Sequence, residues 1–117
     1  MNDLILTFFL EEGSIVLNQG IIEALGRPKQ VQFRIDNKTR QLMLRACDLG
    51  EEQAVVVQKE DMPRMGGRSL LKRIRMLAGW PDDEMRFVYG VYIPDYDAVV
   101  FSLMDAQPVS ELPGYSE

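Results

Sequence analysis

The sequence predicts an α+β domain, mostly β, in which two similar strand-helix-hairpin halves close one small barrel. Runs dense in β-forming residues recur at 4–10, 15–17, 31–35, 42–44, 54–57, 85–93 and 98–104, with two short helical patterns between them. A Gly-x-Pro step follows each helical pattern, at Gly26-Arg27-Pro28 and Gly79-Trp80-Pro81. At 117 residues there is core enough for one domain, so the halves must share it.

Taken in order, Leu4 to Leu10 is too short for a helix, and Glu11-Glu12-Gly13-Ser14 turns it into the run Ile15-Val16-Leu17. Asn18 caps a short helix to Leu25 with Ile21, Ile22 and Leu25 on one face; Gly26 ends it. Val31, Phe33 and Ile35 alternate with polar residues, and Asp36-Asn37-Lys38-Thr39 turns the chain into Leu42-Met43-Leu44, a hairpin. Asp48 to Gln53 reads as a linker, Ala54 to Val57 as a strand and Asp61 to Gly67 as a loop. Ser69 is the expected cap of a helix to about Ala78, whose apolar positions are Leu70, Leu71, Ile74, Leu77 and Ala78. Met85 to Ile93 and Ala98 to Met104 pair across Pro94-Asp95-Tyr96-Asp97, which sets Tyr89 opposite Phe101 if the pairing is symmetric. The expected domain is 1–106, in halves 3–48 and 54–106, with a loose tail over 107–117.

The halves also align by residue. Leu25 to Pro28 falls on Ala78 to Pro81, Phe33 on Phe87, Ile35 on Tyr89, and Leu42-Met43-Leu44 on Val99-Val100-Phe101. Neither half has apolar surface enough to close a core alone.

Histidine is absent and Cys47 is the single cysteine, which excludes Ser-His-Asp and Cys-His catalysis, a His- or multi-Cys zinc site and an internal disulfide. No nucleophile-base pair or complete cofactor motif is present, so the expectation is a protein that is not an enzyme, with no cofactor and no metal. Asp82-Asp83-Glu84, Asp95 and Asp97 read as turn carboxylates, Gly66-Gly67 as loop geometry, Cys47 as an inert thiol and the aromatics of the second half mostly as packing. The first apolar run lacks the basic start of an export signal, and none approaches the length of a membrane helix; a cytoplasmic protein is expected.

The net charge of −5 hides an asymmetry. Twelve basic residues against six acidic ones lie between Arg27 and Arg75, and no acid lies from Met62 to Gly79. Arg64, Arg68, Lys72, Arg73 and Arg75 are the candidate site, with Arg68, Lys72 and Arg75 spaced as one stripe opposite Leu70, Ile74 and Leu77. Such a stripe can track phosphates or meet an acidic partner. The plainer reading is a solvated face whose arginines pair with acids such as Glu51, Glu52 or Asp82 to Glu84.

In the first half, Gly13-Ser14-Ile15-Val16-Leu17, a short helix ending Ala24-Leu25-Gly26, and Val31-Gln32-Phe33 turning into Leu42-Met43-Leu44-Arg45 resemble the AbrB/SpoVT-type swapped-hairpin domain of bacterial regulators and antitoxins. In that family two units, normally from two chains, interlace into a DNA-binding barrel. The resemblance implies a fused pseudo-dimer here, swapped-hairpin or double-psi-like, and a DNA-binding regulator or antitoxin-like protein. Where the family places basic residues this chain has Ser14 and Asn18-Gln19-Gly20, so the contacts would have to come from the second half. The other function class is a noncatalytic module that binds a protein through the basic helix or the aromatic hairpin from Phe87 to Phe101.

Overall fold

The computed structural model describes residues 3–47, 54–56, 64–65 and 67–109. The first apolar run forms β1 (Ile5–Phe9), which buries Leu6 and Phe8 and leaves the alternate residues part-exposed. Gly13, at φ 75°, closes the turn into β2 (Ser14–Leu17). A Cβ there would lie 2.7 Å from Arg68 Cγ, so the glycine lets a later helix sit directly on this turn. Asn18 caps α1 (Gln19–Ala24): its Oδ1 accepts from the Ile21 and Ile5 amides, each at 3.1 Å, tying the helix start to β1.

β3 (Gln30–Asp36) and β4 (Gln41–Ala46) make the first hairpin; β5 (Ala54–Val56) and β6 (Arg64–Met65) precede α2 (Arg68–Ala78). β7 (Arg86–Ile93) and β8 (Ala98–Ser102) make the second hairpin, then a 3-10 turn (Leu103–Asp105) leads to β9 (Gln107–Pro108). Every ladder is antiparallel, in the order β5-β3-β4-β8-β7-β1-β2-β6. The protein is mostly β, a curled half-barrel sheet with two helices. β7 makes the curl possible: Gly90–Ile93 pair with β8, while Arg86–Tyr89 pair with β1 and Arg86–Phe87 also with β9. The inner face carries Leu6, Phe8, Ile15, Leu17, Leu42, Leu44, Val99 and Phe101, closed by Ile21 of α1 and by Leu71 and Ile74 of α2. Each such side chain contributes about 1.5–3 kcal/mol by leaving water.

Several expectations need correction. Arg64–Met65, expected in a loop, pair with Val16 and Ile15 as β6. Gln107–Pro108, expected in a loose tail, pair with β7 as β9, and Val109 is buried with its amide donating to the Met85 carbonyl at 2.9 Å. Ser69 is not the cap of α2; the helix starts two residues earlier than expected, at Arg68, with Gly67 as N-cap and no side-chain hydrogen bond. Gly90, not Tyr89, lies opposite Phe101, and Tyr89 faces outward. The linker over 48–53, the strand end at Val57 and the chain beyond 109 lie outside the described residues.

Candidate nucleic-acid interface

α2 packs on the core through Leu71, Ile74 and Ala78, with Leu70 and Leu77 half-buried beside them. The opposite face follows from helical geometry: Ser69, Lys72, Arg73 and Met76 have i, i+3, i+4, i+7 spacing. Arg68, Lys72 and Arg73 are exposed and make no ion pair among the described residues.

Arg75 is different. Its Nη1 lies 2.7 Å from Asp83 Oδ1, its Nε donates to the Trp80 carbonyl at 3.2 Å and its Nη2 to the Pro81 carbonyl at 3.0 Å. The guanidinium fastens the loop after the helix, where Gly79 in the left-handed region (φ 76°) returns its amide to the carbonyls of Arg75 and Met76. Of the expected stripe, Arg68 and Lys72 point to solvent and Arg75 does not. The anticipated pairing with the acids after Pro81 holds for Arg75. Arg64 is placed by its backbone on β6.

The neighbouring arginine, Arg86, is buried, donates through Nη2 to Asp82 Oδ1 at 3.1 Å and lies 5.4 Å from the Trp80 ring centre. Trp80 in turn packs 5.2 Å from Phe8. Asp82 also accepts the Glu84 amide, and this hydrogen bond, followed by Arg86, holds its carboxyl below the usual range.

A shallow, open groove of about 510 Å³ lies on the exposed face of α2. Ser69, Lys72, Arg73, Met76 and Leu77 form one wall, and Asn37 of the β3–β4 turn forms the other. That turn is set by Asp36, whose carboxylate accepts the amides of Lys38 at 2.9 Å and Thr39 at 3.3 Å; the same bonds lower its pKa. Sequence reading missed the turn's part in this surface, because Asn37 and Lys72 meet only through the fold. Met76 was missed as well, although its i+4 spacing from Lys72 on the face away from Leu71 and Ile74 is a signal that points to it.

A second exposed surface lies on the outer face of the hairpins. Met43, Val100, Ile93 and Tyr96 line a depression of about 520 Å³, with Arg34, Asp36 and Gln41 at its polar side. Val91 is 63% exposed and Tyr96 69%.

Comparison with protein-family models, curated proteins and solved structures found no significant match to this chain. Among the described residues, no helix is long and apolar enough to cross a membrane.

Proposed function

We propose that this chain is a small cytoplasmic DNA-binding protein of the AbrB-like kind, a transcriptional regulator or antitoxin-like protein, whose basic contacts come from α2. The observation that carries the reading is the trio Arg68, Lys72 and Arg73, exposed on one helix and without ion pairs among the described residues, in a chain whose net charge is −5. Cations left without partners on a segregated face gain most from releasing the counterions of a polyanion.

Strand pairing supports the fused swapped-hairpin architecture. Matching β1, β2, α1, β3 and β4 in order with β5, β6, α2, β7 and β8 turns the β1–β7 ladder into β5–β3, and the β3–β4 hairpin into β7–β8. Two further ladders, β4–β8 and β2–β6, reproduce themselves, while β1–β2 and β7–β9 have no counterpart among the described residues. Gln41 opposite Ser102 becomes Ala98 opposite Arg45, about the central pair Met43 and Val100, and Ile15 opposite Met65 becomes Arg64 opposite Val16. Two interlaced units related by a two-fold axis have this exchange property. The register keeps Leu42-Met43-Leu44 on Val99-Val100-Phe101 but moves Phe33 onto Gly90 and Ile35 onto Tyr92, because Asp36–Gln41 and Ile93–Ala98 are the matching turn flanks.

The test is retention on immobilised duplex DNA or heparin at low salt. Wild type is retained, and R68Q/K72Q/R73Q elutes earlier with a salt slope lower by up to about 0.9 per lost duplex phosphate contact. Wild type in the flow-through rejects the reading.

One observation favours the second reading, a protein-binding module. At matched positions the outer face of β3 carries Gln32, Arg34 and Asp36, whereas β7 carries Tyr89, Val91 and Ile93. Folding the hairpin does not require apolar residues there, so their presence suits a covered surface. Recovery of a defined partner by wild type but not by V91E, with DNA retention unchanged, selects this reading.

A further inference from the structure

The α2 groove narrows the kind of nucleic acid, an inference that rests on the DNA-binding reading above. A duplex reader inserts a helix into a major groove about 12 Å wide, which a helix of about 10–12 Å fills by itself. Here Asn37 of the β3–β4 turn lines the same open groove as α2, so a nucleic acid laid on this face meets the turn as well as the helix. The groove also has an apolar part. Met76 is 73% exposed and Leu77 is half-buried, one helical turn on from Lys72 and Arg73, the cations that phosphates would seek. A duplex turned side-on offers phosphates to such a surface and nothing to cover the thioether. A single strand offers both, since its bases are free to leave the stack.

We infer that the groove between α2 and the β3–β4 turn binds single-stranded nucleic acid, with phosphates on Lys72 and Arg73 and a base laid on Met76. Charge selects a polyanion, and the apolar wall selects one carrying flat, exposed bases. Asn37 and Ser69 supply hydrogen-bonding groups at the groove edge. A thioether against a base face gives contact without sequence readout, so the preference is for strandedness rather than sequence.

Fluorescence anisotropy at low ionic strength tests this with a labelled oligothymidylate of about a dozen nucleotides and with a labelled duplex of equal length. The single strand binds more tightly than the duplex. K72Q/R73Q weakens it by about tenfold or more and lowers its salt slope by about 1.4, the value for two single-strand phosphates. Met76→Ser weakens it about two- to tenfold with the slope unchanged, and circular dichroism of all three proteins is the same. Equal or tighter duplex binding overturns the inference and leaves the DNA reading standing. Single-strand binding unaffected by all these substitutions places the site elsewhere and also overturns it. Binding of neither nucleic acid removes both, and capture of labelled polyglutamate in that case assigns the groove to acidic peptides.

Discussion

Gly90 on β7 lies beneath the ring of Phe101 on β8, so close that a Cβ would fall 2.4 Å from Phe101 Cε2. In the first hairpin the matching positions hold Phe33 opposite Leu44. The ring sits on β3 in the first hairpin and on β8 in the second, where glycine opposite it leaves the room that the ring fills.

Gly90→Ala therefore destabilises the protein by about 1–3 kcal/mol, read as a lower urea midpoint at unchanged slope. Adding Phe101→Leu recovers part of that loss. A double variant no better than the sum of the single ones would show that the ring is not what excludes the Cβ.

Arg75 and the exposed trio separate folding from binding. Arg75→Gln removes a part-exposed ion pair and two hydrogen bonds to loop carbonyls, and costs about 1 kcal/mol in thermal or urea unfolding. R68Q/K72Q/R73Q changes stability by less than about 0.5 kcal/mol per site, because no ion pair among the described residues is lost and glutamine keeps the Cγ with which Arg68 meets the Gly13 turn. The binding phenotype has the opposite pattern, strong in the triple variant and weak in Arg75→Gln.

Acid weakens the loop that follows α2. Asp82 has its carboxyl pKa lowered from the ordinary 3.8 by the Glu84 amide and then by Arg86. Its contribution is present above that ordinary value and is lost as pH falls through the lowered one. Asp82→Asn flattens this acid limb of the stability profile, leaving Arg86 buried over Trp80 without its carboxylate partner. An acid limb identical to wild type would reject the assignment.

At the other end of the pH scale, the Tyr92 hydroxyl donates to Asp97 Oδ1 at 2.6 Å, and this bond raises its pKa above 10.0. The stabilisation is complete below that ordinary value and is lost as pH rises through the raised one. Carbon NMR of the Tyr92 ring should follow the raised titration and move back toward 10.0 in Asp97→Asn.

The sequence by itself determined most elements and their kinds. Alternation in Val31-Phe33-Ile35, the Asn18 cap and the Gly26 and Gly79 stops are local physics, decided within a few residues, and the structure agrees with each. The basic composition of α2 was equally legible. Tertiary structure alone decided the rest. Arg64–Met65 becomes a strand only because β2 offers an open edge, and Gln107–Pro108 only because β7 does. Arg75 leaves the basic stripe because the loop beyond Gly79 folds its carbonyls and Asp83 back onto the helix, and Asn37 joins α2 across the fold. Helix periodicity fixes which side chains share a face, whereas their partners depend on contacts between segments distant in sequence, whose spacing no local pattern encodes.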